Sequence, residues 1–300
     1  MIEYFYKGEM IMYLVIDIGG TYTKYGYYNK EGHCFFNDKY KTIKTNINDF
    51  YNGIIELIKD DTEGIAISMP GLLDSDTGIV HAITLLPFLK NHNIIKELNA
   101  LTHLPVSIEN DAKSAALGEL WQGNLQNITN GLFIILGSGI GGTLIINGQI
   151  VKSPRFKAGE IGSILMPLDH DYQQMTNFGA NNNANALINE ISETTHCQND
   201  GIVVFEEIKN NPQAMIVFKK YCRQIAFMIY NLDYTLDLDV VVLGGGISEQ
   251  DILISTINQE YQILREKYEE DNHQPIITNC KYFNEANLLG ALYHHLKNGH

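Results

Sequence analysis

The chain alternates short apolar runs with segments of helical spacing. Residues 13–18 (YLVIDI) predict a buried strand. Gly19, Gly20 and Thr21 make a turn, and residues 22–29 predict a second strand rich in aromatic side chains. Gly32 closes another turn before a strand over 34–42. Over 47–59, Ile47, Phe50, Ile54, Leu57 and Ile58 recur at helical spacing. A strand over 64–69 ends at Pro70-Gly71. Residues 94–101 predict a helix, 105–108 a strand running into Asn110-Asp111, and 112–121 a further helix.

The second half begins like the first. Residues 132–136 (LFIIL) predict a strand, 137–142 (GSGIGG) a glycine turn and 143–147 (TLIIN) a strand that turns at Gly148. The tetrapeptide IGGT occurs at 18–21 and again at 140–143, although superposing the preceding strands needs a two-residue shift. Self-similarity of this kind is what a duplicated domain leaves. Residues 167–183 are polar, irregular and rich in Asn and Gln. A long helix over 212–236 and a β-branched strand over 239–243 lead into Gly244-Gly245-Gly246. A helix (251–268), a strand (275–279) and an amphipathic helix (286–297) follow. Strands alternating with helices predict α/β layers. With no low-complexity linker between the halves, two domains packed closely around a cleft are expected.

Composition narrows the functions. The 300 residues are 45% hydrophobic and 19% charged, as in soluble globular proteins, and the length suits two domains. Thirty-five acidic and twenty-one basic residues give a net charge of −14, which disfavours nucleic acid and anionic membranes as partners. A phosphorylated small ligand is still allowed, because it needs only a local cradle of N–H groups and a metal ion. Cys34, Cys197, Cys222 and Cys280 are too dispersed for a C-x-x-C metal pair and suit reduced thiols in a cytoplasm. The apolar stretch 10–16 stops at Asp17, well short of the roughly 20 residues that span a bilayer. Glu3 and Glu9 outnumber Lys7, which argues against a signal peptide, and residues 1–12 read as an extension.

Five segments carry chemistry. Asp17, Gly19, Gly20 and Thr21, with Lys24 beyond, place a strand-end carboxylate before a turn whose backbone can approach a phosphate; a polar hairpin is the bland alternative. Gly137-Ser138-Gly139-Ile140-Gly141-Gly142 precedes a strand rather than a helix, and no GK[ST] follows. This excludes the dinucleotide fingerprint and the P-loop, and leaves a hairpin able to wrap phosphates. Gly244, Gly245 and Gly246 follow a strand end, where open α/β sheets bind ligands, or simply connect strand to helix. Glu109-Asn110-Asp111 sits at a strand–helix junction, where one residue caps the helix or Asp111 serves as a general base. Glu160, between Gly159 and Gly162, suits vicinal sugar hydroxyls. Asp169-His170-Asp171 reads as solvated rather than metal-binding, and Trp121 as core rather than a stacking platform.

Taken together, DIGGT, SMPG (68–71), ENDA (109–112), GSGIGG, AGEIG, LGGG and LLGAL (288–292) resemble the ROK family of sugar kinases and repressors. The resemblance implies duplicated actin-like, ribonuclease H-like domains, the hexokinase-like ATPase fold, around a central cleft. The expected division is an N-terminal domain over 13–118, with helix 286–300 packing back on it, and a C-terminal domain over 119–285. By the same resemblance, Asp17, Gly19, Gly20, Thr21, Lys24, Gly137, Ser138, Gly139 and Gly141 hold the phosphates of Mg-ATP, with Asp17 in indirect contact with Mg²⁺. Gly244, Gly245 and Gly246 lie along the adenosine. Gly71, Asn110, Asp111, Glu160 and Ser163 surround the sugar, with Asp111 as base.

One departure from the family pattern matters. Family glucokinases carry a histidine where this chain has Ser163, followed by a cysteine zinc site, and here no cysteine follows until Cys197. Zinc is therefore not expected. The zinc-free β-glucoside kinases are the nearest subgroup and share a W-Q-G like Trp121-Gln122-Gly123. The implied activity is ATP-dependent phosphorylation of a sugar, at O6 of a β-glucoside or hexose, by a cytoplasmic homodimer. Glucokinase and N-acetylmannosamine kinase are the close competitors. A sugar-sensing regulator is the rival from another class; with a phosphate turn already at Asp17, a preceding winged helix-turn-helix is not expected.

Overall fold

The computed structural model describes residues 11–167, 171, 173–268 and 274–298, and divides the chain into two compact units. The first runs to Gln122 and takes in Pro154–Phe156 and the chain from Glu285. Its strands are Met12–Ile18 (β1), Tyr22–Tyr28 (β2), Cys34–Lys41 (β3), Thr62–Met69 (β4), Leu72–Asp74 (β5), Ile79–Ala82 (β6) and Val106–Asn110 (β7). Its helices are Ile47–Ile55 (α1), Ile94–Thr102 (α2), Asp111–Gln122 (α3) and the C-terminal helix Ala286–Lys297. The main sheet has the order β3-β2-β1-β4-β7; β1, β4 and β7 run parallel, and β2 and β3 antiparallel.

Burial explains why the central strands read as unbroken apolar runs. Leu14, Ile16, Ile65, Ile67 and Ile108 are buried, as expected for parallel strands covered on both faces. Edge strand β3 is largely exposed and mixes polar residues with the exposed Phe35 and Phe36. The C-terminal helix packs across β1, β4 and β7 and along α3. Gly118 and Gly290 permit that helix–helix approach: a Cβ on Gly118 would lie 2.5 Å from the Ala286 carbonyl oxygen.

The second unit spans Gly123–Ser153 and Lys157–Asn284. Its strands are Gly131–Leu136 (β8), Ile140–Ile146 (β9), Gln149–Ile150 (β10), Leu165–Pro167 (β11), Met175–Asn177 (β12), Val240–Gly244 (β13) and Ile276–Asn279 (β14). Its helices are Phe178–Asn182 (α4), Ala184–Thr195 (α5), Gly201–Asn210 (α6), Pro212–Leu236 (α7) and Asp251–Tyr268 (α8). The order β10-β9-β8-β13-β14, with two antiparallel and two parallel pairings, repeats the plan of the first unit. The β1–β2 and β8–β9 hairpins are equivalent, but the two IGGT copies are not: 18–21 spans the end of β1 and its turn, whereas 140–143 lies within β9.

Three local differences from the sequence reading have physical causes. Helix α1 stops at Ile55 because the backbone tightens to i→i+3 bonds at Leu57 and Ile58. Strand β9 begins inside the glycine run, with Gly141 and Gly142 paired to Ile135 and Ile134. The polar 167–183 stretch contains β12 and α4, where Asn177 caps the helix by accepting from the Ala180 N–H at 2.7 Å. Asp169, His170 and residues 1–10 lie outside the described residues. Among the described residues no helix is long and apolar enough to cross a membrane.

Candidate active site

In the first unit the site residues gather at the carboxyl ends of the central strands, where open α/β sheets place ligands. Asp17 lies one residue before the end of β1, in register with Lys24 on β2 and Ser68 on β4. It is buried, and one of its oxygens, Oδ1, accepts from Ser68 Oγ at 2.9 Å and Asn287 Nδ2 at 3.0 Å. Burial pushes the Asp17 carboxyl above its ordinary value; the Asn287 and Ser68 donors and the Lys24 charge oppose that shift without cancelling it.

The turn after β1 is tied down from behind. The Gly19 N–H donates to the Tyr22 carbonyl at 3.1 Å, and the Thr42 hydroxyl donates to the Gly19 carbonyl at 2.7 Å. Thr42 also lies 3.2 Å from the buried Thr23 hydroxyl. Gly20 and Thr21 face outward. A Cβ on Gly19 would sit 2.8 Å from the Tyr22 oxygen, so glycine there is needed for the turn itself, whereas Gly20 has room.

The junction of β7 and α3 resolves the capping ambiguity. Asn110 Oδ1 accepts from the Lys113 N–H at 3.2 Å, so Asn110 is the cap. Its Nδ2 donates to the Gly71 carbonyl at 3.1 Å. One amide proton and one carbonyl lone pair of Asn110 remain for a ligand. Gly71 has φ +114°, and a Cβ there would lie 2.7 Å from the Ala82 oxygen. Asp111 is the first residue of α3, half-buried, and its Oδ1 accepts from the Ala112 N–H at 2.8 Å. Behind it, buried Glu109 accepts from the Asn110 N–H at 2.8 Å and lies 3.7 Å from His294 Nδ1.

In the second unit the turn after β8 is closed by the Gly137 N–H on the Gly139 carbonyl at 3.0 Å. The Gly137 carbonyl accepts from Ala184 N at the start of α5 (2.8 Å). Ser138 and Gly139 are exposed, and a Cβ on Gly139 would meet nothing within 4 Å. Gly142 serves the fold instead: its Cβ would lie 2.6 Å from the Gly159 oxygen, and Gly159 (φ +88°) is crowded reciprocally by Gly142. This crossing positions half-buried Glu160, which opens the short turn Ile161–Ser163 and accepts from Ser163 N at 3.0 Å. Ser163 is exposed. After β13, Gly245 needs its positive φ (+95°), Gly244 is crowded by Phe133 and Gly246 is open.

Sequence reasoning gave Ser68 no role beyond its place in SMPG, and missed Thr42, Glu109's partner His294 and Asn287. The last stands some 270 residues from Asp17 and has no motif to announce it. The W-Q-G segment is structural here. Trp121 stacks on Tyr293 at 5.2 Å, and Gln122 Nε2 donates to the Glu31 carbonyl at 2.8 Å, holding the Gly32 turn. Among the described residues no group of three or more acidic, His or Cys side chains is arranged for a metal ion. A magnesium ion carried on nucleotide phosphates needs only one or two protein carboxylates. Asp17, buried and incompletely compensated, fits that role.

Two duplicated α/β units with glycine turns at equivalent strand ends define the hexokinase-like ATPase fold. The chain belongs to the ROK family, whose profile matches residues 13–297. It is 29% identical to a beta-glucoside kinase of Listeria innocua, over 94% of this chain and 96% of that protein. It is 28% identical to an N-acetyl-D-glucosamine kinase of Photobacterium profundum, over 95% of this chain and 100% of that protein. A ROK family protein from Streptococcus pneumoniae, solved in complex with sucrose, superposes with a TM-score of 0.86 at 27% identity, covering 96% of this chain and 98% of that one.

Proposed function

We infer that this chain is an ATP-dependent sugar kinase that moves the γ-phosphoryl group of Mg-ATP to a sugar hydroxyl, and we propose O6 of a β-glucoside as the acceptor. The observation that carries the mechanism is the β7–α3 corner. Because Asn110 caps the helix, the Asp111 carboxylate is placed rigidly without being needed as the cap. Asp111 accepts the hydroxyl proton as the sugar oxygen attacks phosphorus. Asn110, Gly71, Glu160 and Ser163 orient the sugar. By the family resemblance, the exposed Gly20, Thr21, Ser138 and Gly139, with Lys24, Gly137 and Gly141, hold the phosphates, and Gly244–Gly246 line the adenosine. When bound beside Asp17, Mg²⁺ neutralises phosphate charge.

The β-glucoside acceptor is supported by two features. The beta-glucoside kinase relatives match nearly the whole chain. Ser163, small and exposed, stands where family glucokinases carry a histidine, which favours an acceptor substituted on the anomeric oxygen. The four cysteines are free thiols, which suits the cytoplasm, and we propose a homodimer there. An ADP-release assay with Mg²⁺ across cellobiose, glucose, N-acetylglucosamine and N-acetylmannosamine tests the reading. Cellobiose is expected to give the highest kcat/KM. Stimulation by N-acetylmannosamine alone would move the acceptor to that sugar, and stimulation by none would refute the kinase reading.

A further inference from the structure

We propose that Asn287, acting with Ser68, is a positioning residue for Asp17. This inference rests on the kinase reading above. Both side chains donate to the same carboxylate oxygen, Asp17 Oδ1, at 3.0 and 2.9 Å, and they approach from different elements, the C-terminal helix and β4. Two donors converging on one oxygen fix the rotation of the carboxylate about its Cβ–Cγ bond. Among the described residues Oδ2 takes no hydrogen bond, so the second oxygen stays available to a cation carried on the nucleotide phosphates. Neither donor carries charge, so the pair orients Asp17 without neutralising it. This is what a carboxylate that must attract a cation requires. Oxygen-bound partners of this kind typically contribute about 10- to 100-fold to metal affinity or activity.

Asn287 is half-buried in the first turn of its helix, where Ala is a better helix former, so Asn287→Ala should fold. Bind ADP calorimetrically to the intact protein with and without Mg²⁺, and measure Tm in parallel. We expect Asn287→Ala to weaken Mg-ADP binding by about 10- to 100-fold. Metal-free ADP binding should stay within about twofold, and kcat should fall more than the KM for sugar rises. Ser68→Ala should show the same Mg²⁺-specific loss, and the double variant should be less than additive. Equal Mg-ADP affinity in wild type and Asn287→Ala would overturn the proposal, as would equal losses with and without Mg²⁺. Absence of Mg²⁺-dependent ADP binding in the wild type would instead overturn the kinase reading itself.

Discussion

Replacing Asp111 by Asn removes the proton acceptor while preserving the shape of the side chain. In the structure Asp111 Oδ1 accepts from the Ala112 N–H at 2.8 Å, and the amide oxygen of Asn accepts that bond equally well. The helix cap belongs to Asn110, which accepts from Lys113 N, and is untouched. What the fold loses is one negative charge in the first turn of α3, worth about 0.3–1 kcal/mol. For a chain of this size that is a fall in Tm of at most about 4 °C. A positioned base contributes about 10²- to 10⁴-fold, or roughly 2.7–5.4 kcal/mol of barrier. kcat should therefore drop by that factor, while the KM for both substrates changes little. Asn110→Ala should show the reverse pattern. It loses the cap, at about 1 kcal/mol, together with the bond to the Gly71 carbonyl, so Tm falls and sugar KM rises more than kcat drops. The pair is read by a coupled ADP-release assay at saturating substrates, alongside thermal melts. A folded Asp111→Asn protein with undiminished kcat would remove Asp111 as the base.

Two further substitutions follow from the geometry. Asp17→Asn should abolish turnover yet stabilise the ligand-free protein. Burial raises the Asp17 carboxyl in the folded state, so its ionised form costs stability above that raised value and costs nothing below the ordinary carboxylate range. The gain in Tm from Asn should thus grow as pH rises from the ordinary carboxylate range through the raised value and then level off; a gain confined to acid pH would contradict the sign. Gly139→Ala should leave Tm unchanged, because its Cβ meets nothing within 4 Å, while raising the KM for ATP. Gly142→Ala should instead cost about 1–3 kcal/mol through overpacking against the Gly159 carbonyl. Equal Tm losses for the two glycine variants would show that both merely build the fold.

The parts of the fold that were legible in sequence are those where local pattern and tertiary burial agree. Strands β1, β4 and β8 read as unbroken apolar runs because neighbours cover both of their faces, and α7 and α8 read over their full lengths. Helices α5 and α6 do not stand out. In α5 the buried Ala184, Leu187 and Ile191 are diluted by Asn, Glu and Thr, and α6 opens on a glycine. Within the candidate site, glycine spacing marked the turns but did not separate open Gly139 and Gly246 from Gly142, Gly159 and Gly245, which serve close packing or positive φ. That distinction depends on which backbone crosses behind each residue. Asn287 was illegible for the same reason, since only the docking of the C-terminal helix brings it to Asp17.

The central claim is that Asp111 directs the γ-phosphoryl group onto the 6-hydroxyl of a β-glucoside. It is tested most directly by identifying the product. Incubation of the protein with Mg-ATP and cellobiose, followed by phosphorus and proton NMR of the sugar fraction, should show phosphate on C6 of the non-reducing glucose with the glycosidic bond intact. The Asp111→Asn protein should form that product about 10²- to 10⁴-fold more slowly. ATP consumed to inorganic phosphate with no phosphorylated sugar, or phosphate found only on free glucose, would contradict the account.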